Sequence, residues 1–418
     1  MRQAHHDSQV PALILKIGQY PLHSGGVAAV RTLGRLGVPV YVTTEDALTP
    51  AAVSRYCTGH FRWRTTGHED PASLVAALLR IGQQIGRPAV LIPVDDEAAV
   101  LIAEHADELS GRFLFPPIQP GLSRQLASKH ELFGLCREHG VPAPESVLLS
   151  SAEDLTAFAA AARFPVVVKN AEPWVRRWAP AVGGTTVLRS AAELTALATA
   201  AGESSTFIVQ EYIPHEEAED WIVHLYCDSG SSCQVLFTGV KLRSWPPNTG
   251  ATACGVSVLN PALADLAARF CKAVGFHGVA DLDVRYDRRD GQYKVVDFNP
   301  RMGNQFRLFE TDTGIDVLRA LYLDMTGQST PPGDQVSGRR IIVEHIDLLS
   351  RIGQRGSGYV TPSAPGRPAV TELAWLARDD PLPFAAMLPR FAALALSDII
   401  RRQRGAWRRR RDNIRRTP

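Results

Sequence analysis

The segment VADLDVRYDRRDGQYKVVDFNPR, residues 279–301, places acids inside runs that otherwise read as apolar strands. Residues two apart in a strand point to the same side, so Asp297 and Asn299 share a face, and Asp283 on the preceding strand can meet them there. Two carboxylates and an amide oxygen are hard ligands. They suit magnesium, which binds through a few carboxylates and completes its shell with water and substrate phosphates. Arg301, two residues further on, is placed to clamp a phosphoryl group. The bland alternative is a solvated hairpin with surface charges. It serves for Asp287 to Asp290 in the turn, but it does not explain acids within VADLDV and KVVDFN.

These side chains need a frame. A strand over Asp281–Tyr286, a turn with an Asp-Gly step over 287–291 and a strand over Tyr293–Phe298 make one hairpin. Upstream, the periodicity predicts strands over 12–17, 38–42 and 89–92, alternating with helices over 27–36, 70–84 and 95–109. Such alternation builds a parallel sheet. Pro116, Pro117 and Pro120 mark its end. A helical stretch over 120–139 leads into a small unit with strands near 147–149, 166–169, 185–188 and 207–210 and helices over 152–162 and 191–200. An antiparallel sheet with flanking helices follows, one of them near 315–325. The stretch 326–338 reads as a linker to a smaller appendage with a strand over 341–345 and a helix over 384–400.

With these pieces in place, VVDFNPR resembles the E-x-N-P-R strand of ATP-grasp enzymes, with Asp297 where glutamate is commoner. Four further motifs of that superfamily then fall in order. The resemblance places Lys129 as the first phosphate-contacting lysine and Lys169, ending PVVVK, as the second. Gly183 and Gly184 match the Gly-rich loop of the lid, where glycine lets backbone N–H groups approach phosphate. Gln210, Glu211, Tyr212 and Ile213 match the hinge that contacts adenine. A carboxylate after the hinge is expected on ribose: Glu217 first, then Glu219 and Asp220. Lys241 and Arg243 match a region that supplies cations to the phosphates and the substrate carboxylate. Alone, Lys169 would read as a solvated strand end and Gly183-Gly184 as a turn. His215 stands where glycine often follows the hinge proline, and both metal-binding acids are short, so the ribose and metal positions depart from the family pattern.

The implied fold is α/β, with α+β in the ATP-binding part: an N-terminal parallel-sheet domain (1–118), linker helices and lid (119–207), an antiparallel C-domain with the metal site (208–330), and an appendage with a basic tail (331–418). A lid over about 143–207 is expected to close on ATP. Within the superfamily, GGVAAVRTLGRLGVPVYV, SRYC, LIPVDDEAAVLIAEHADEL and QEYIP look like carboxylate–amine ligases similar to D-aspartate ligase. That implies ATP, magnesium (manganese as the alternative), small carboxylate and amine substrates, an acyl phosphate, and catalytic roles for Arg301, Arg243 and Lys241. A carbamoyl-phosphate-synthetase-like carboxylase, a small-molecule kinase and a non-catalytic nucleotide-binding protein are the competing readings.

Other features bound the answer. The spacing of Gly18, Gly25 and Gly26 fails the dinucleotide fingerprint. Gly25-Gly26 reads instead as a helix N-terminus offered to an anionic substrate group, or as plain strand–turn–helix geometry. Asp95, Asp96 and Glu97 read as capping acids. Trp174, Arg176, Arg177 and Trp178 lie in the lid loop, to cover substrate or to pack. Six cysteines without metal-ligand spacing fit reduced thiols in a cytoplasmic protein. No apolar run reaches 18 residues and no signal-peptide layout opens the chain. Residues 401–418 hold nine arginines and one aspartate in a chain of net charge +2, so the preceding 400 are net −6. The tail reads as solvated, ahead of membrane-surface contact and then nucleic acid. A homodimer is left open.

Overall fold

A computed structural model describes residues 8–20, 22–66, 69–170, 185–201, 207–247, 250–353 and 370–396. The first domain is a parallel five-stranded sheet. Its elements are β1 (Ala12–Leu15), α1 (Ser24–Gly34), β2 (Val40–Thr44), β3 (Cys57–Arg62), α2 (Pro71–Ile85), β4 (Ala89–Pro93), α3 (Asp96–Glu104), α4 (Ala106–Leu109) and β5 (Phe113–Leu114), with strand order β3-β2-β1-β4-β5. The alternation of β1 explains the two layers. Ala12 and Ile14 pack with Val27, Val30 and Leu33 of α1, whereas Leu13 and Leu15 pack with Val75, Leu78 and Ile81 of α2. β3 and β5 escape sequence pattern reading because β3 alternates without a clear apolar face and β5 has two residues.

The helical stretch expected over 120–139 is two helices, α5 (Leu122–Ala127) and α6 (Lys129–Glu138). Ser128 between them is extended, and its hydroxyl accepts from the Glu131 N–H. The signal was present: Ser-x-x-Glu is a helix-start pattern. The small unit follows as β6 (Ser146–Leu149), α7 (Ala152–Ala161), β7 (Val166–Asn170), β8 (Thr186–Leu188), α8 (Ala191–Ala201) and β9 (Phe207–Glu211), an antiparallel sheet of order β6-β9-β7-β8.

The third sheet has seven strands. Its elements are β10 (Ala218–Cys227), β11 (Cys233–Trp245), β12 (Ala251–Ser257), α9 (Pro261–Val274), β13 (Gly278–Asp287), β14 (Gln292–Asn299), α10 (Val317–Met325), β15 (Arg339–Ile342), α11 (Glu344–Gly353) and β16 (Val370–Leu373), and α12 spans 382–396. The order β14-β13-β10-β11-β12-β15-β16 corrects the expected appendage. β15 pairs with β12, and β16 with β15, so a boundary at 330 would cut a sheet. The expected linker is tied down as well: the Gln335 amide exchanges hydrogen bonds with the Thr238 backbone, and Asp312 N donates to Asp334 O. The tail and the C-terminal part of the expected 384–400 helix lie outside the described residues.

Candidate active site

The acids are set by one strand pair. β13 and β14 place Asp283 opposite Asp297 and Asp281 opposite Asn299. Leu282, Val284, Val295 and Phe298 face the other way, into the core. Val295 and Phe298 are three apart, so simple alternation cannot bury both. A register shift beside Asp283/Val284 resolves this, turning Asp297 to the cavity while Val295 stays in the core.

Four cations meet these acids. Lys129, first residue of α6, is ion-paired with Asp297. Lys241 of β11 lies 2.6 Å from Asp283. Lys169, near the end of β7, is buried. Arg301 donates from Nε to Asp96 at 3.1 Å and from Nη2 to Asn299 Oδ1 at 2.9 Å, with Asp281 at 3.4 Å. Burial is the largest influence on Lys169, Lys241, Asp283, Asp297 and Arg301, and for Lys241, Asp297 and Arg301 the neighbouring charges outweigh it. Burial brings Lys169 down to about 8, with Lys129 adding to the fall and Asp297 opposing it. Burial opposes the charge on Lys241 as well, but Asp283 raises its pKa above the ordinary value. Asp297 is lowered, because Lys129 and Lys169 outweigh its burial. Asp283 is raised, burial being joined by Asp281 and Asp297 despite Lys241. Arg301 is raised, Asp96 and Asp281 outweighing its burial.

Among the described residues no three His, Cys, Asp or Glu side chains converge as a ready metal cage. The donors nonetheless fit a hard cation that draws its remaining ligands from phosphate oxygens. Asp283 is half-buried beside two other carboxylates, Asp281 and Asp297, so added positive charge is favoured at that spot. Asn299 already offers Oδ1 to Arg301, and its amide donates to the Asp281 carbonyl.

Two cavities meet on this acid–lysine line. One, of about 300 Å³, is lined by Gln210, Glu211, Tyr212 and Ile213 of the hinge. The other, of about 500 Å³, reaches Ser24, Asp96, Arg301 and the C-terminal segment at His345. Lys169, Lys241, Asp283 and Asp297 line both. Gln210 donates to the Ser146 hydroxyl at 2.9 Å, and Glu211 pairs with Arg289 and Lys294.

Several expectations need correction. Arg243 does not line either cavity: a register shift between Lys241 and Arg243 breaks the alternation, and Arg243 pairs with Asp347 of α11 at 2.7 Å. Glu217 is exposed, with Arg289 at 4.0 Å, and Glu219 pairs with Arg288; neither lines the hinge cavity, whereas His215 and Asp220 do. Asp220 is held by Arg285 at 2.8 Å. Asp287 is fully buried, because Arg289 and Lys294 converge on it. At the start of α1, Gly25 N donates to Asn304 Oδ1 and Gly26 N to His23 Nδ1, so both glycine N–H groups are taken. Gly183, Gly184, Trp174, Arg176, Arg177 and Trp178 lie outside the described residues.

Asp95 caps α3 as expected, but Asp96 turns to Arg301. Asp281 was missed although it stands two residues before Asp283, the same spacing that singled out Asp297 and Asn299. Beneath it, buried His224 brings Nε2 to 3.1 Å from Asp281 Oδ1, in poor hydrogen-bond alignment.

Three sheets and a cation-lined junction between two cavities define the class: the fold is that of ATP-grasp enzymes. A curated D-aspartate ligase of Enterococcus faecium (strain Aus0004) is 24% identical over 269 residues, covering 60% of this chain and 62% of that protein. The matched region thus spans less than two thirds of that relative. An N5-carboxyaminoimidazole ribonucleotide synthetase solved with ADP superposes with TM-score 0.61 at 14% identity, over 88% of this chain and 92% of its own. An L-amino acid ligase from Bacillus licheniformis gives 0.56 at 16% identity, over 75% and 73%. No family model matches.

Proposed function

We propose that this chain is an ATP-dependent ligase that joins a small, amino-acid-like carboxylate to an amine, releasing ADP and phosphate. The observation that carries the reading is the meeting of the hinge cavity and the larger cavity at Lys169, Lys241, Asp283 and Asp297. ATP lies in the first, with its γ-phosphate at the junction and the carboxylate substrate in the second. A carboxylate oxygen attacks the γ-phosphorus in line, the bond to the bridging oxygen breaks, and ADP leaves with that electron pair. The amine nitrogen then adds to the acyl carbon, loses a proton, and phosphate departs with the C–O electrons.

Lys129 and Lys169 hold the phosphates of bound ATP. In the free protein Lys129 and Lys241 are paired with carboxylates. Phosphate oxygens compete for those ammonium groups, which frees Asp297 and Asp283 as the triphosphate arrives. Asp283, Asp297 and Asn299 would hold magnesium, which supplies charge neutralisation of the transferring phosphoryl group. Arg301, fixed by Asp96 and Asn299, faces the charge that develops during transfer.

The test traps the acyl phosphate. Purified chain, ATP and magnesium are supplied with pooled carboxylates and hydroxylamine as a surrogate amine. Hydroxamate and phosphate in equal amounts are expected. ADP formed with neither free phosphate nor hydroxamate would favour a kinase, and no ADP with any carboxylate would remove the reading.

A further inference from the structure

The larger cavity has a wall that the proposed reaction does not use. Trp245, Pro246, Val343 and Ile346 make it apolar, and His345 stands among them. The imidazole is fixed from behind: Trp375 Nε1 donates to its Nδ1 at 3.0 Å, and the rings of Trp375 and Phe391 both meet it edge to face at 5.5 Å. With the Nδ1 lone pair taken by Trp375, the ring proton belongs on Nε2. Among the described residues no hydrogen bond is made by Nε2. Burial brings the pKa of the group down to about 4, so at neutral pH it is an uncharged donor.

An N–H donor on an apolar wall accepts an oxygen and rejects an ammonium group, which would present a second donor to it and lose its water without compensation. The wall therefore suits the carboxylate substrate and not the charged end of an amine. The reacting carboxylate of that substrate must lie at the lysine–acid junction, so a second oxygen-bearing end is what remains for this wall. Resting on the ligase reading above, we propose that His345 is a specificity-determining residue whose Nε2–H binds the non-reacting carboxylate of an amino-acid substrate. Trp375 is then a positioning residue that fixes the tautomer.

The test uses D-aspartate, ATP, magnesium and hydroxylamine, with D-alanine and β-alanine as acids that each lack one of the two carboxylates. In His345→Leu, kcat/KM for D-aspartate should fall roughly 10-fold to 100-fold, the loss of a hydrogen bond to a charged group. The fall should come mainly through KM, the KM for ATP should hold, and the preference for D-aspartate over the one-carboxylate acids should shrink by the same factor. His345→Gln, which keeps an N–H near the Nε2 position, should recover most of it. In Trp375→Phe, ¹⁵N shifts of the His345 ring should show the proton moving towards Nδ1. An equal loss with all three acids, a raised KM for ATP, or a glutamine variant as poor as leucine would overturn the assignment. If the wild-type protein makes no hydroxamate from D-aspartate, that choice of substrate fails. Calorimetry of D-aspartate with the ADP–magnesium complex then decides the subsite alone. Binding lost in His345→Leu and kept in His345→Gln supports it, and absent or equal binding overturns it.

Discussion

Lys169 has no charge of its own to spare at high pH. Its pKa of about 8 reflects burial first, and a triphosphate beside it would favour the charged form and raise that value. The sign follows. Below about 8 the free protein already carries the proton, so nucleotide affinity is full. As pH rises through about 8 the proton must be taken up on binding, and affinity falls. Calorimetry of ADP between pH 7 and 9.5 should show this fall in wild type, whereas Lys169→Ala should bind weakly at every pH and lack it. Removing Asp297 as Asp297→Asn, or Asn299 as Asn299→Ala, should abolish ATP turnover while circular dichroism stays native. Wild-type turnover in either folded variant would contradict the assigned metal ligands. In the proposed mechanism Arg301 faces charge that forms only during transfer, so Arg301→Ala should act on kcat; a change confined to the KM for ATP would assign it to ground-state binding.

At the scale of elements, a few local features hold the side chains of the candidate site in register. A Cβ at Gly303 would lie 2.4 Å from Asp281 Oδ2 and 2.4 Å from His224 Cε1. Both are buried and cannot yield, so Gly303→Ala should displace Asp281, cut turnover strongly and lower Tm. Ser128→Ala removes the cap that starts α6 at Lys129, and should cost about 1 kcal/mol in urea unfolding together with a measurable loss of ADP affinity. These details also mark what the sequence could and could not disclose. The hairpin of β13 and β14, most of the alternating strands and helices of the first domain and the elements of the small unit were legible, because their periods of two and 3.6 persist over whole elements; the antiparallel pairing of the small unit was not. The two register shifts were not. Each is a one-residue event in a strand pair, and no residue type announces it. One left Asp297 on the cavity side as alternation required, and the other turned Arg243 away from it. Asp287 was misread because its burial depends on Arg289 and Lys294 arriving from the turn and the partner strand.

Over the whole molecule, the segment after residue 338 is what composition described least well. It reads as an appendage, but it adds two strands to the central sheet and reaches back to the first domain. Arg31 of α1 donates to Asp380 at 2.9 Å, and Asp380 also accepts from the Ser54 hydroxyl at 2.7 Å and the Arg55 N–H. Both charged side chains are nearly inaccessible, 5% and 1% exposed. Asp380→Ala would leave the Arg31 guanidinium buried without its counter-charge, and should lower unfolding stability by about 3–5 kcal/mol. An unchanged Tm in that variant would show the pair to be dispensable. The same contact sets an order of events during synthesis. Arg31 and Asp380 are 349 residues apart. At roughly 5–20 residues per second, the counter-charge is made about 20–70 s after the arginine. For that interval the α1 face around Arg31 lacks its C-terminal cover, and the guanidinium stays hydrated until the segment carrying Asp380 arrives. A nascent chain stalled before residue 380 would leave that face of α1 open to solvent, and the contact between the first domain and the C-terminal segment would form only once synthesis had passed that point.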